Sequence, residues 1–391
     1  MVISSIRELW DYLMRTRQRS WTATGGWDPG PPERRNDPPH LVLVFGSRAA
    51  LCDPRTLPEL AAHYPAAAIV GCSTAGEILD TQVSDGHLVA TEVRFDHTAV
   101  RLAGVALSDV ETSEQAGRHI AEQLQGDGLN HVLVFSDGLE VNGSSLIRGM
   151  KEQLPRGVQV TGGLAGDGEL FESTLTCCGS SARSGMVAAV GFYGGGLRVG
   201  FGSLGGWDPF GPERIVTRSE GNVLIELDGK NALDLYKLYL GEYAEQLPAS
   251  ALLFPLSLKL PGGDRVVRTV LTVDEQAGTM TFAGDLPEGH HARLMKANFE
   301  RLIDGAVGAA SLSQDVLGVH QAELGILISC VGRRMVLGQR IEEELESVRE
   351  VVGGTAALTG FYSYGEIAPL MAAKPCELHN QTMTITLLSE A

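Results

Sequence analysis

The stretch Gly71-Cys72-Ser73-Thr74-Ala75-Gly76-Glu77-Ile78 decides the fold, because the chain contains it three times in related form. The second copy reads Gly162-Gly163-Leu164-Ala165-Gly166-Asp167, and the third reads Gly360-Phe361-Tyr362-Ser363-Tyr364-Gly365-Glu366-Ile367. Each copy follows an apolar run, a helical pattern and a second apolar run, which predicts a strand–helix–strand unit ending in a glycine-rich turn. Glycine at the exit of a buried strand lets the backbone approach a ligand or another turn closely. The three turns are therefore predicted to converge on one pocket.

The elements of the three units can be placed from their periodicity. Strands are predicted over residues 41–45, 66–70, 132–135, 158–160 and 326–329, and helices over residues 53–64, 144–154 and 339–349. Strands over residues 185–192 and 197–204 are predicted to form an antiparallel meander, and residues 207–217 a loop. Mixed sheets with helices on their faces follow, so the predicted fold class is α/β.

Composition limits the class of protein. A chain of 391 residues with 43% hydrophobic and 20% charged residues is predicted to form two globular domains. Its net charge of −17 argues against a nucleic-acid partner, which needs a clustered basic face. No apolar run reaches membrane-spanning length, and the N-terminus lacks the order of a signal peptide. The six cysteines are predicted to be buried and reduced, and the expected location is cytoplasmic.

The N-terminal region differs in composition from the rest of the chain. Residues 1–19 have apolar residues at helical spacing, and the basic stretch at residues 15–19 is predicted to be a solvated helix end. Glycine and proline then predominate over residues 23–39, which indicates a linker. Within it, Gly25-Gly26-Trp27-Asp28-Pro29 recurs later as Gly205-Gly206-Trp207-Asp208-Pro209, without an evident function.

Several turn residues are candidates for chemistry. Cys72 and Ser73 resemble a nucleophile elbow, but the second glycine comes one residue late, so a ligand-lining or structural turn is favoured over a hydrolase. Glu77 and Glu366 occupy equivalent places and could do acid–base work or accept hydrogen bonds from their own turns. Tyr362 and Tyr364 point to one face and either pack in the core or line a pocket.

Histidines are the candidates for binding haem or a metal. No pair has the spacing of a helical metal site, and the neighbours His290 and His291 face opposite sides of a predicted strand. His379 precedes the last predicted strand, over residues 383–388. Each histidine is more simply interpreted as a structural group than as a ligand.

Taken together, these motifs resemble the FIST family. The resemblance rests on the three turns, on Phe45-Gly46-Ser47, and on the stretch from Glu226 to Tyr236. It implies a FIST N domain over residues 39–230 and a FIST C domain over residues 231–370, preceded by residues 1–38 and followed by a C-terminal segment, residues 371–391. FIST proteins are regarded as small-molecule sensors in signal transduction, with amino acids among the proposed ligands.

The chain also resembles the stand-alone bacterial NosP-type subgroup, which binds haem, senses nitric oxide and signals to a separate histidine kinase. The resemblance therefore implies a sensor rather than an enzyme, with haem as a possible cofactor and a histidine kinase or a cyclic-di-nucleotide enzyme as partner. Candidate haem ligands are His291 and His379. The residues expected to line the ligand pocket are Cys72, Ser73, Thr74, Gly163, Asp167, Tyr362, Tyr364 and Glu366. The alternatives are an amino-acid or other small-molecule sensor without haem, a hydrolase using Ser73 or Cys72, and a scaffold that binds a kinase through its N-terminal helix.

Overall fold

A computed structural model describes residues 14–247, 249–260, 263–369 and 374–391. The strands of these residues are β1 Arg15–Thr22, β2 Gly26–Asp28, β3 Leu41–Gly46, β4 Ala68–Ser73, β5 Glu77–Leu79, β6 Gln82–Ser84, β7 Leu88–Arg94, β8 Ala99–Ala106, β9 Leu129–Ser136, β10 Gln159–Leu164, β11 Thr176–Cys178, β12 Ser181–Arg183, β13 Met186–Tyr193, β14 Leu197–Leu204, β15 Asp208–Glu220, β16 Val223–Leu227, β17 Lys230–Asn231, β18 Leu256–Lys259, β19 Arg265–Arg268, β20 Val270–Asp274, β21 Thr279–Phe282, β22 His291–Lys296, β23 Leu324–Cys330, β24 Ala357–Ser363, β25 Gly365–Pro369, β26 Cys376–His379 and β27 Met383–Glu390. The α-helices are α1 Arg48–Cys52, α2 Leu57–His63, α3 Ser113–Leu124, α4 Gly143–Gln153, α5 Ala232–Leu240, α6 Phe299–Leu317, α7 Val331–Leu337 and α8 Ile341–Val352.

The three predicted units are present and share one topology. In each, a parallel pair of buried strands is joined through helices: β3 with β4, β9 with β10, and β23 with β24. On its other side the first strand of each pair is flanked by an antiparallel strand, which is β7, β13 or β27. We call these unit 1 (residues 15–94), unit 2 (residues 99–193) and unit 3 (residues 197–390), and their glycine-rich stretches turn 1 (71–78), turn 2 (162–167) and turn 3 (360–367). The α/β fold class is confirmed.

One glycine in each unit explains why the turns are alike in sequence. Gly71, Gly162 and Gly360 sit at the same register of the parallel pair. A Cβ at any of them would lie under 3.0 Å from a backbone carbonyl oxygen of the preceding strand. Only glycine permits this close approach of two backbones. The first residue of each copy is therefore fixed by packing between neighbouring strands.

The chain leaves its own sheet after each turn and joins the sheet of another unit. After turn 1, β5 pairs with β24 in the sheet of unit 3. After turn 2, β11 pairs with β4 in the sheet of unit 1, and after turn 3, β25 pairs with β10 in the sheet of unit 2. The result is three sheets in a closed exchange, with strand orders β12-β11-β4-β3-β7-β1-β2, β26-β25-β10-β9-β13-β8 and β14-β27-β23-β24-β5-β6.

The repeated Gly-Gly-Trp-Asp-Pro segments mark equivalent places in units 1 and 3. The first follows β1 and contains the edge strand β2, and the second follows β14, an edge strand of the sheet of unit 3. Gly26 and Gly206 both have positive φ, 71° and 79°, which favours glycine. The indole N–H of Trp27 donates to the Arg55 carbonyl at 3.1 Å, and that of Trp207 to the Gln381 carbonyl at 2.7 Å. The duplication is thus a repeated tryptophan-anchored turn that follows β1 in one sheet and β14 in another.

Residues 208–296 form an insert within unit 3. They build an eight-stranded sheet with the order β19-β18-β22-β15-β16-β21-β20, in which the eighth strand, β17, pairs with β16. Helix α5 packs against it, and the insert has a hydrophobic core of its own. Side-chain contacts fasten the insert to the units; among them, Arg268 Nη1 donates to the Leu378 carbonyl at 2.9 Å, and Asn142 Nδ2 donates to Asp285 at 2.9 Å.

Several local predictions are wrong. Cys52 is exposed, although all six cysteines were predicted to be buried. Residues 15–19 belong to β1 and not to a helix, because the arginines alternate along one face of an extended chain; residues 1–13 lie outside the described part of the chain. Residues 208–217 are in β15 and not in a loop, since a register irregularity between Pro209 and Glu213 absorbs the prolines. The predicted meander is absent, because β13 pairs with β8 and β9 whereas β14 pairs with β27.

Candidate functional site

The three turns meet, and they do so by direct hydrogen bonds. Turns 1 and 3 exchange two backbone bonds, from Ala75 N to Tyr362 O at 2.8 Å and from Tyr362 N to Gly76 O at 2.9 Å. Turns 1 and 2 are joined from Gly166 N to Ser73 O at 2.9 Å. Turns 2 and 3 pair through β10 and β25. The turns therefore converge as the repeats suggested, and backbone hydrogen bonds join them directly.

Aromatic side chains fill the space where the units converge. The ring centroids of Phe45, Phe135 and Phe361 are 4.8 to 6.0 Å apart. Gly163 leaves room for this packing, since a Cβ there would lie 2.8 Å from Ile328 and 3.3 Å from Phe361. The centre is thus a close-packed core, and Gly163 serves that packing.

Cys72 and Ser73 are buried and engaged. The Ser73 hydroxyl donates to the Gly166 carbonyl at 2.7 Å and accepts from the Leu175 N–H at 2.8 Å. Burial raises the pKa of the Cys72 thiol well above its usual value, which disfavours the nucleophilic thiolate. Neither side chain is presented to a substrate in this geometry, so the hydrolase alternative gains no support from it.

Glu77 and Glu366 have the same local arrangement in turns 1 and 3. A hydroxyl three residues earlier donates to each carboxyl at 2.6 Å, from Thr74 and from Ser363. Glu366 also accepts from the N–H of Thr382 at 3.1 Å and from its hydroxyl at 2.9 Å. Burial raises the pKa of Glu77 to about 7 and that of Glu366 to about 8. Each carboxyl therefore binds its own turn and can be neutral at moderate pH.

Asp167 organises the loop that follows turn 2. Its carboxylate accepts from the N–H groups of Phe171 and Glu172 at 2.9 Å and of Ser173 at 2.8 Å, and also from the hydroxyl of Tyr364. Burial opposes ionisation, but these hydrogen bonds outweigh it and lower the pKa of Asp167. Tyr364 in turn stacks on Phe171, with ring centroids 4.4 Å apart. This contact joins turn 3 to the loop after turn 2.

Tyr362 points away from that loop into a buried ionic network. Its hydroxyl donates to Glu344 at 2.8 Å, and Glu344 pairs with Arg333 at 2.7 Å. Ser329 also donates to Glu344, at 3.1 Å. All four side chains are buried, so Tyr362 is a structural residue of unit 3.

Two adjoining compartments lie between the turns and the insert, on either side of Phe171 and Tyr364; together we call them the insert groove. The larger has a volume of about 380 Å³ and is lined by Glu169, Phe171, Gln246, Leu247, Leu252, Thr269, Val270, Leu271, Cys330, Val331, Met335 and Tyr364. The smaller has a volume of about 220 Å³ and is lined by Gly138, Leu139, Glu140, Val141, Asn142, Leu164, Phe171, Asn222, Leu271, Phe282, Ala283 and Tyr364. The smaller compartment is lined by residues that follow β9, and the larger by Cys330 and Val331 at the carboxyl end of β23. Ligands bind at the carboxyl ends of strands in open α/β sheets.

A third cavity lies between units 1 and 2. It has a volume of about 570 Å³. Of the residues that the sequence predicted to line the ligand pocket, Thr74 and Asp167 line this cavity, and Glu77 lines it as well. Of the other expected residues, Tyr364 lines both compartments of the insert groove, whereas Cys72, Ser73, Gly163, Tyr362 and Glu366 are buried in the contacts described above.

The candidate haem ligands lie apart from these cavities. His291 is half exposed on the insert, with Nδ1 3.9 Å from Glu213. His379 is buried, its Nε2 lies 2.9 Å from the Ala368 carbonyl, and burial lowers its pKa to about 4. No histidine is among the residues that line the insert groove, and the described residues contain no group of three His, Cys, Asp or Glu that could hold a metal. These two residues therefore do not fit a haem held in that groove.

Sequence reasoning missed the residues of the insert that complete the groove. Thr269 and Leu271 belong to the insert, far from any turn in sequence. Phe171 has a positive φ of 54°, and its backbone is held there by Asp167. A non-glycine residue in this conformation is set by its tertiary contacts, which the sequence does not reveal.

In the described part of the chain, no helix combines the length and apolar character needed to cross a membrane.

Comparison with known proteins agrees with this architecture. The family model described as the FIST N domain matches residues 40–230, and the FIST C domain matches residues 232–369. The chain therefore belongs to the FIST family, whose domains are associated with small-ligand sensing in signal transduction.

An uncharacterised protein of Methanocaldococcus jannaschii is 24% identical over 315 residues, a match that covers 73% of this chain and 59% of that protein. The match thus spans less than two thirds of this relative. The crystal structure of a cyanuric acid hydrolase from A. caulinodans aligns over 97% of this chain and 99% of that chain, with 9% identity and a TM-score of 0.34.

Proposed function

We propose that the protein is a small-ligand sensor that binds its ligand in the insert groove. The observation that carries the proposal is that one wall of the larger compartment belongs to the insert and the other to units 2 and 3. A ligand held there contacts both bodies at once. Its binding would therefore favour one arrangement of the insert over others, which is what a sensor requires.

The groove offers a hydrogen-bonding group that has no partner in the protein. Thr269 is 6% exposed, and its hydroxyl has no hydrogen-bond partner among the described residues. A buried hydroxyl without a partner is costly, and a polar ligand atom would remove that cost. Thr269 is thus the anchor that we assign to the ligand, with apolar neighbours supplying most of the contact area.

The route from the groove to the units runs through Tyr364. Its ring lines both compartments, its hydroxyl donates to Asp167, and its face stacks on Phe171. A ligand that shifts Phe171 would act on the same contact that joins turn 2 to turn 3. We assign the output of the sensor to this contact.

Ligand size and charge favour a small amino acid or a related molecule. The charged side chains lining the groove are Glu169 and Glu140, and no lysine, arginine or histidine lines it within the described residues. The ammonium group of an amino acid would be attracted to these two carboxylates. Helix α4 begins after Asn142, which lines the smaller compartment, and the positive end of its dipole would attract the ligand's carboxylate. Haem-based sensing of nitric oxide, with a separate histidine kinase or cyclic-di-nucleotide enzyme as partner, remains a proposal that rests on the NosP-type resemblance.

A paired-variant ligand screen tests the proposal. Amino acids and haem are screened for a rise in melting temperature of the wild-type chain, since a ligand of the native state stabilises it by mass action. The screen is repeated on Leu271→Trp, which fills the groove from the insert side, and on Leu238→Trp, a matched substitution at a residue of the insert that is 74% exposed. We expect the shift to persist in Leu238→Trp and to disappear in Leu271→Trp. A ligand that stabilises both variants equally would place the site elsewhere.

A further inference from the structure

A further cleft, separate from the insert groove and from the cavity between units 1 and 2, lies on the first sheet between β1, β7 and the loop before β3. It has a volume of about 330 Å³ and is lined by Arg15, Thr16, Arg17, Arg35, Asp37, Pro39, Glu92 and Arg94. Four of these eight residues are arginines, in a chain whose net charge is −17. The basic stretch at the start of β1 is therefore concentrated in one place together with basic residues from elsewhere.

Two of the arginines face each other across the sheet. Arg15 of β1 lies directly opposite Arg94 of β7 in the antiparallel ladder. Like charges at such a position destabilise a sheet. Arg15 is compensated by Asp96 at 3.2 Å and Asp37 at 3.7 Å. Arg94 has no carboxylate within ion-pair distance among the described residues.

Arg94 also has an unused donor. Its Nη1 donates to the Pro38 carbonyl at 3.3 Å, but its Nε is buried and has no partner in the described part of the chain. A buried guanidinium nitrogen without an acceptor is costly, because it has lost its water without a replacement. The Nε–H of Arg94 therefore lacks a hydrogen-bond acceptor, and a bound anion would supply one.

The two carboxylates of the cleft are already engaged. Glu92 accepts from Arg19 Nε at 2.8 Å and from the Tyr64 hydroxyl at 3.0 Å. Asp37 accepts from Arg35 Nε at 3.1 Å and lies near Arg15. Arg17, which is exposed, forms no ion pair with a described residue. Arg17 and Arg94 are therefore the charges left for a ligand.

We propose that this cleft is a binding site for a small, multiply charged oxyanion of the phosphate class. The guanidinium groups of Arg17 and Arg94 would hold it, since their planar donors match tetrahedral and carboxylate oxyanions and keep their charge at every physiological pH. The cleft is at the lower end of the size of small-ligand sites, about 300–1,000 Å³. This site is separate from the insert groove and does not depend on the ligand of the sensor.

Titration with pyrophosphate tests the site. Binding is measured by isothermal titration calorimetry at constant ionic strength for the wild-type chain, Arg17→Gln, Arg94→Gln and the control Arg198→Gln. Arg198 is an exposed residue of β14, and its Nη1 donates to a backbone carbonyl. We expect each cleft variant to weaken pyrophosphate binding about tenfold or more, because a charge-assisted hydrogen bond is lost, and the control to bind as the wild type does. Equal binding by all four chains, or no binding by the wild type, would overturn the proposal.

A stability measurement separates a binding role from a structural one. Without added anion, Arg94→Gln relieves the repulsion opposite Arg15 and is expected to melt at the same temperature as the wild type or higher. Pyrophosphate should then raise the melting temperature of the wild-type chain but not that of Arg94→Gln. If pyrophosphate raised the melting temperature of Arg94→Gln as much as that of the wild type, Arg94 would have no part in binding, and the proposed site would be refuted.

Discussion

Replacing Glu366 by glutamine should make the protein more stable, and increasingly so as the pH rises. Glu366 is fully buried in turn 3, and burial raises its pKa from the usual 4.5 to about 8. Two of its three donors are the hydroxyls of Ser363 and Thr382, which can rotate to serve a neutral carboxyl or an amide. Glutamine keeps the shape and these bonds, but it cannot ionise.

The sign and size follow from proton linkage. Above pH 4.5 the unfolded chain releases the proton of Glu366, whereas the folded chain keeps it until about pH 8. The wild type therefore has its full stability below pH 4.5 and loses about 1.4 kcal/mol for each pH unit between these values, ~5 kcal/mol in all. Glu366→Gln has no such loss. The difference in unfolding free energy between variant and wild type should rise with this slope and level off above pH 8.

Urea unfolding followed by tryptophan fluorescence, in steps of half a pH unit between pH 5 and 8.5, measures this difference. Glu122→Gln, at an exposed position of α3, is the matched control and should show no dependence of this kind. A difference that stays flat over the range would mean that Glu366 is ionised in the folded protein. That result would refute a neutral carboxyl in turn 3.

Two further substitutions test the turns. Asp167→Asn should destabilise the protein by about 1–3 kcal/mol, because an amide oxygen is a weaker acceptor than the carboxylate for the three N–H groups. The pKa of Asp167 is lowered in the folded protein, so this loss of stability should be present above pH 4 and shrink in acid. Urea unfolding midpoints of variant and wild type at pH 3 and 6 would measure it. Gly71→Ala should cost about 3 kcal/mol or more, because its Cβ overlaps the neighbouring strand, whereas Gly195→Ala, where a Cβ meets nothing within 4 Å, should be close to neutral. Equal melting temperatures of these two variants would contradict the close packing of the parallel pair.

The sequence predicted the parts of the fold that depend on local pattern and close backbone approach. Gly71 and Gly360 could be aligned because no other residue fits beside the neighbouring strand. β1 was missed because the alternation of its arginines is short and the helical spacing of the apolar residues before it, at residues 3–13, was extended through residue 19. The insert groove was out of reach, since Thr269 and Phe171 acquire their roles only when the insert folds against the units.

The exchange of strands between units has a consequence for biosynthesis. β5, at residues 77–79, pairs with β24, at residues 357–363. As the chain emerges from the ribosome, β5 and its partner β6 have no sheet to join until almost the whole polypeptide has been made. Such long-range pairing slows folding and leaves open strand edges waiting in the nascent chain. The backbone groups of β5 that pair with β24 therefore stay open for longer during synthesis than they would in a strand whose partner is close in sequence.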